Sequence, residues 1–197
     1  MLAALVLGAG LSTRMGKQKL LLPFGSQTLI ECTLLSIRER FKGVIVVITT
    51  ETVYKAIGDT SDFYYKINEH PEKGQALSLK LGVEAVAEHC PECEGIMVFL
   101  ADQPFVSSAC IADVTRELKG HPNKIIVPEY QGKPGHPVVF GKNWFRALTE
   151  ASGDQGGRGL IKTYPEAVIR IPGDFGCTLD IDTQGDYEKA LEKRFNQ

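Results

Sequence analysis

The chain has no long apolar stretch. Among its 197 residues the longest hydrophobic runs are Leu2–Leu7, Val44–Ile48 and Ile96–Ala101. These are strand-sized, far short of the roughly 18 residues that cross a bilayer. A helical membrane protein is excluded on that ground. The apolar start carries no basic flank and is broken early by Gly8, so it reads as a first buried strand rather than a secretion signal. Charge of one sign is also missing. Lys and Arg number 22 against 24 acids, a formal charge of −2, which lacks the bulk positive field of a general nucleic-acid binder. Cysteines are few: five, an odd number at irregular spacing. They give no disulfide framework and point to a reduced, cytoplasmic setting. Cys90-Pro91-Glu92-Cys93 has no second CxxC and no pair of histidines three to five residues apart to complete a four-ligand zinc site. With 43% hydrophobic and 23% charged residues the composition is that of a globular domain.

What is present is an alternation. Leu2–Leu7, Val44–Thr49, Gly95–Ala101 and Lys124–Pro128 are continuous apolar runs, as expected of parallel strands buried on both faces. Between them, Thr28–Arg40, Ala76–Glu88, Ser108–Leu118 and Gly185–Phe195 carry apolar residues at helical spacing. The pattern predicts an open α/β sheet with helices on both faces. In the second half, Glu129–His136 and Ser152–Gly159 read as loops, and Pro137–Phe140 as a short strand, antiparallel if it joins the sheet. No repeat, low-complexity tract or linker divides the chain, so residues 1–197 are taken as one domain.

The first strand runs into Gly8-Ala9-Gly10-Leu11-Ser12-Thr13-Arg14-Met15-Gly16-Lys17-Gln18-Lys19. Glycines let backbone N–H groups approach phosphate oxygens, and Arg14 and Lys19 can neutralise a triphosphate. Ligands in open α/β sheets bind beyond the carboxyl ends of the strands, where this loop falls. Two common fingerprints fail. Thr13 stands where a dinucleotide loop needs its third glycine; Leu11 and Gln18 break a P-loop. A tight turn with solvated cations is the plain alternative. Asp102 closes another apolar strand in Phe99-Leu100-Ala101-Asp102-Gln103-Pro104 and can bind Mg²⁺ or simply form a turn or helix cap. If Leu179–Thr183 is a strand, Asp180 and Asp182 share a side and one of them can complete a metal site with Asp102; alternatively Asp182 or Thr183 caps the last helix. Gln75 and Ser78 share a helix face after Gly74 and can meet a nucleobase edge, or merely begin a helix.

The run from Leu7, Gly8, Ala9 and Gly10 through Met15-Gly16, followed by Lys19-Leu20-Leu21-Leu22-Pro23, resembles the start of MobA-like nucleotidyltransferases. Within them it is most similar to the molybdenum cofactor cytidylyltransferases and their purine-catabolism relatives, whose pattern is close to LAAGxSxRMGxxKLLLP. Gly8 departs from it at one small-residue position. Ala101-Asp102-Gln103-Pro104 resembles the family's G-D-Q-P, with Ala101 in place of Gly, and Asp180-Ile181-Asp182-Thr183-Gln184-Gly185-Asp186 its D-I-D-T-P-E-D. Gly135-His136-Pro137 and Gly153-Asp154-Gln155-Gly156-Gly157-Arg158 resemble its G-H-P segment and second glycine loop.

The resemblance implies a Rossmann-like three-layer sandwich of the nucleotide-diphospho-sugar transferase type, with a mostly parallel mixed sheet. It implies Mg²⁺-dependent nucleotidyl transfer in which Arg14, Lys19 and Asp102 are catalytic and the metal lies among Asp102, Asp180 and Asp182. Leu7, Gly8, Ala9, Gly10, Ser12, Arg14 and Lys19 would cradle the triphosphate. Gly74, Gln75 and Ser78 would meet the base, and His136 and Arg158 the acceptor. CTP as donor, a phosphorylated pterin as acceptor and a molybdoenzyme apoprotein as recipient follow from the same likeness. GTP, a sugar or polyol phosphate acceptor, or a non-catalytic accessory role are the alternatives.

Overall fold

The computed structural model describes residues 1–12, 15–58, 61–151 and 156–195. A sheet runs through its middle in the order β10-β7-β9-β6-β1-β4-β5, with β8 paired to β7. Its centre is β1 (Leu2–Gly8), flanked in parallel by β4 (Ile45–Thr49) and β6 (Gly95–Leu100). These three are almost wholly buried, as two-sided strands must be. The strand predicted near 137–140 is β9 (Val138–Gly141), antiparallel to both β6 and β7 (Ile125–Tyr130).

One face of the sheet packs on α1 (Leu29–Arg40), α4 (Ser108–Gly120) and α7 (Gln184–Phe195), through Leu34, Val114 and Ala190. The other packs on α3 (Gln75–His89), α5 (Phe145–Glu150) and α6 (Gly156–Thr163), through Val83, Leu148 and Leu160. Helix α3 sits close on β1 because residue 82 is glycine: a Cβ there would run into the Leu5 side chain. That close approach brings the start of α3 to the end of β1. Helix α1 begins on a capping box. The Thr28 hydroxyl accepts from Glu31 N–H at 3.4 Å, and the Glu31 carboxylate accepts from Thr28 N–H at 2.8 Å. Its entry is a two-strand hairpin, β2 (Pro23–Phe24) and β3 (Gln27–Thr28).

Several elements escape the sequence pattern for identifiable reasons. The edge strands β5 (Tyr64–Ile67) and β10 (Val168–Pro172) pair on one side only and alternate in exposure, so neither has a continuous apolar run. The short α2 (Glu51–Ala56) buries only Val53. The expected loop at 129–136 instead continues β7 and turns through Gln131 and Gly132, both at positive φ, into β8 (Lys133–Pro134). Of the expected loop at 152–159, residues 152–155 lie outside the described residues, and the rest is helix α6. Glycine is a poor helix former, but here it is required by contact. A Cβ on Gly157 would stand 2.9 Å from the Phe140 ring, and one on Gly156 2.9 Å from Leu79. The cysteines also differ from the expectation of a reduced chain: Cys90 and Cys93 are disulfide-bonded. Helix α3 ends at His89, and the turn that follows, with Cys93 N–H on the Cys90 carbonyl at 3.0 Å, brings the two Cα atoms to 5.4 Å, within bridging range.

Replacing Thr28 with Ala removes the side-chain half of the α1 cap. Chemical denaturation is expected to show a loss of about 1 kcal/mol, with the m-value unchanged.

Candidate active site

The carboxyl ends of β1 and β6 open the site. Beyond Gly8 the chain folds back on itself. Ser12, at φ +53°, donates from its hydroxyl to Gln18 Oε1 at 2.9 Å and accepts from Lys19 N–H at 3.2 Å. Lys19 then starts a single 3₁₀ turn whose next residue, Leu20, is buried in the core. The loop thereby fixes where the lysine side chain starts. Arg14 lies outside the described residues.

The Lys19 ammonium reaches two carboxylates, one 83 and the other 163 residues further along: Asp102 Oδ2 at 2.5 Å and Asp182 Oδ1 at 2.7 Å. Exposure of the side chains is 12% for Lys19, 13% for Asp102 and 38% for Asp182, so the Lys19–Asp102 pair is the interior one. Burial pulls the Lys19 pKa down, but the charge and hydrogen bond of Asp102, and then those of Asp182, outweigh it; the net shift is upward and the group stays protonated. Burial raises the Asp102 carboxyl above its ordinary range, against the opposing charge of Lys19 and with Asp180 and Asp182 adding to the rise. Two acids thus converge on one ammonium.

The 179–183 segment forms no strand, and its two acids part. Ile181 is fully buried and its N–H lies 3.4 Å from the Asp102 carbonyl oxygen, which pins the segment beside the end of β6. Asp182 turns to Lys19. Asp180 turns to Gln103, whose Nε2 donates to Asp180 Oδ1 at 2.5 Å. Burial also raises the Asp180 carboxyl. The expected grouping of Asp102, Asp180 and Asp182 is thus split, and among the described residues no set of three His, Cys, Asp or Glu side chains is arranged around a metal position. Thr183, not Asp182, caps α7: it accepts from Asp186 N–H at 3.2 Å while the Asp186 carboxylate accepts from Thr183 N–H at 2.9 Å. The pair Asp102 and Asp182 fits a hard divalent cation, because one or two carboxylates completed by phosphate oxygens and water suffice for Mg²⁺.

A cavity of about 470 Å³ runs from Gly8, Ala9 and Gly10 past Lys19 and Asp102 to the start of α3. Leu7, Gly74, Gln75 and Ser78 also line it, whereas Ser12 acts from behind through Lys19 N–H. Gly74 has φ +86°, a conformation that disfavours any side chain, and it delivers the α3 N-terminus to the cavity. Ser78 accepts a hydrogen bond from the buried Asn68 at 3.0 Å. Sequence reasoning missed Asn68; it follows the edge strand β5, which left no apolar signal.

A second, mostly apolar cavity of about 220 Å³ adjoins the first at Leu7 and Gln75 and contains His136 and Arg158. His136 is held by its N–H on the Cys177 carbonyl at 2.7 Å and by Nδ1 facing the Val98 carbonyl at 3.2 Å. Burial lowers its pKa to about 4, with nearby Arg158 adding to the fall and Asp102 opposing it. At neutral pH it therefore brings no charge to an acceptor. The cations here are Arg158 together with Lys162 and Arg170, two residues the sequence did not single out.

A mostly parallel sheet that presents a glycine-lined loop, a lysine and the carboxylate paired with it to one cavity defines an α/β nucleotide-binding transferase. The chain belongs to the family of the MobA-like NTP transferase domain, whose profile matches residues 4–168, and it is a nucleotidyltransferase. It is similar to the purine catabolism protein PucB of Bacillus subtilis (28% identity; 95% of this chain, 94% of that one). It is also similar to the molybdenum cofactor cytidylyltransferase of Escherichia coli (25%; 96% and 95%). Among solved structures it matches Rv0371c from Mycobacterium tuberculosis H37Rv with TM-score 0.86 and 29% identity over 97% of each chain. The same protein in complex with manganese matches at 0.81, with 26% identity over 97% of this chain and 98% of that one.

Two of the departures from the resembled pattern, Gly8 for Ala and Ala101 for Gly, face each other. A Cβ on Gly8 would stand 3.1 Å from the Ala101 Cβ. One small group fits between these strand ends. Gly8→Ala alone is expected to destabilise by about 1 kcal/mol, and Gly8→Ala with Ala101→Gly to recover most of it; additive losses in a denaturation cycle would contradict the pairing. A separate outcome concerns His136. Unfolded, it takes a proton near pH 6.5; folded, near pH 4. Between those values the unfolded chain binds more protons, so this group's contribution to stability falls as pH drops through that window. Comparing midpoints at pH 7 and pH 5, His136→Asn is expected to flatten the fall.

Proposed function

We propose that this nucleotidyltransferase transfers a cytidylyl group from CTP to the terminal phosphate of a phosphorylated pterin of the molybdopterin type. The single observation that carries the reading is the Lys19 ammonium shared by Asp102 and Asp182 beside the glycine loop. The choice of CTP and pterin rests on the motif resemblance and on the similarity to the Escherichia coli cytidylyltransferase. The cavity at Gly8–Gly10 and Lys19 takes the triphosphate, and Gly74, Gln75 and Ser78 at the start of α3 take the base. The adjoining cavity takes the acceptor, with Arg158 as its cation and neutral His136 as a hydrogen-bonding wall. Arg14 is assigned to the phosphates from its place in the motif.

An acceptor phosphate oxygen attacks the α-phosphorus of CTP. The new P–O bond forms as the bond to the β-phosphate oxygen breaks, and pyrophosphate leaves. No covalent enzyme intermediate is needed, since the nucleophile is already anionic. The chain's own contribution is alignment of the two phosphates and neutralisation of charge by Lys19 and Arg14. A divalent cation, Mg²⁺ in the first instance, would be held by Asp102 and Asp182 and supplies charge stabilisation on the triphosphate. The product would pass to a molybdoenzyme apoprotein. The described residues include no helix long and apolar enough to cross a membrane; a cytoplasmic site of action suits a CTP-dependent step.

The test is a thermal-shift panel of CTP, GTP, ATP and UTP with Mg²⁺, paired with a pyrophosphate-release assay on the phosphorylated pterin. Saturating CTP at 100 times Kd is expected to stabilise by about 3 kcal/mol and to exceed the other three. Lys19→Ala is expected to lose most of that shift, and Asp102→Asn to keep the fold while losing pyrophosphate release. A larger response to GTP would move the donor assignment; unchanged turnover in Asp102→Asn would remove the metal assignment.

A further inference from the structure

Gln103 is 3% exposed and follows Asp102 just past the end of β6. Its Nε2 donates to Asp180 Oδ1 at 2.5 Å and lies 3.4 Å from the Cys177 carbonyl oxygen. That carbonyl also accepts the His136 N–H at 2.7 Å. One buried amide therefore connects the end of β6, the segment bearing both late acids, and the loop of the second cavity. The Gln103 Oε1 is buried with no hydrogen-bond partner among the described residues, a costly state, so its Nε2 contacts are what hold the side chain. Asp102, Asp180 and Asp182 lie near enough to influence one another's charge, yet only Asp102 and Asp182 reach Lys19.

We propose that Gln103 is a positioning residue that keeps Asp180 out of the Lys19–Asp102–Asp182 cluster, so that a divalent cation there meets two carboxylates and not three. The proposal rests on the metal assignment above. A hard cation gains affinity with each added carboxylate. A third ligand would strengthen the protein's hold on the ion and take a coordination position that the triphosphate needs. Holding Asp180 on Gln103 leaves that position to substrate oxygens, and the same amide keeps the His136 loop in register with the cluster.

Mn²⁺ alone, titrated into the protein and followed by electron paramagnetic resonance of the free ion, tests this without turnover. Asp102→Asn and Asp182→Asn are each expected to weaken binding roughly tenfold or more. Asp180→Asn is expected to bind as the unmodified chain does. Gln103→Met, which keeps the volume and loses the donor, is expected to tighten binding several-fold, and Asp180→Asn in that background to abolish the gain. A structural defect alone weakens an ion site and does not tighten it. If Asp180→Asn weakens Mn²⁺ as Asp182→Asn does, or Gln103→Met folds and binds no tighter, the proposal is overturned while the metal assignment survives. Unchanged binding in both Asp102→Asn and Asp182→Asn removes the metal assignment, and the proposal with it. Should Gln103→Met not fold, the Asp180→Asn titration decides by itself.

Discussion

The Lys19 ammonium holds together three parts of the chain that are far apart in sequence: the loop after β1, the end of β6 and the approach to α7. Removing charges from water is costly, and a buried ion pair is weak support for stability in itself. Its value here is positional. With Asp102 and Lys19 both little exposed, the pair fixes the distance between the glycine loop and the carboxylates across the mouth of the cavity. The two acids that meet at the ammonium are the same pair that would hold a metal ion on a triphosphate. The same groups thus order the apoprotein and await the substrate.

Around that cluster the fold supplies placement. The buried parallel strands β1, β4 and β6 end on one side of the sheet, and the loops leaving β1 and β6 line a common cavity with the start of α3. Small residues set how closely those ends approach: Gly82 under α3, and the Gly8–Ala101 contact between β1 and β6. The Cys177 carbonyl accepts from both His136 and Gln103, so the apolar second cavity is tied to the charged first one through a single backbone group. Placing two reacting phosphates in fixed relation is most of what such a transferase has to do.

The central strands and the long helices were legible because a two-sided strand must be apolar throughout and a packed helix must repeat near 3.6 residues. The edge strands β5 and β10 were not, since one-sided burial leaves no continuous run. The first half of α6, Gly156–Gly159, reads as loop in the sequence, because glycine propensity points away from helix while the contacts at Phe140 and Leu79 demand it. The Cys90–Cys93 bridge was not expected either; it follows from how the chain turns at the end of α3.

In the candidate site, Lys19, Asp102, Asp182 and Gly74 stand out in the sequence by their places beyond strand and helix ends, each with an ordinary turn or cap reading beside it, and His136 by the motif resemblance. Composition, strand order of appearance and the loop motif are local properties, and the chain determines them without folding. Which acid faces the lysine, that His136 is neutral, and that Gln103 holds Asp180 aside were decided only by tertiary structure. Hydrogen-bond partners and desolvation depend on groups brought together from more than 70 residues away, and no local pattern encodes which of two neighbouring carboxylates turns toward which.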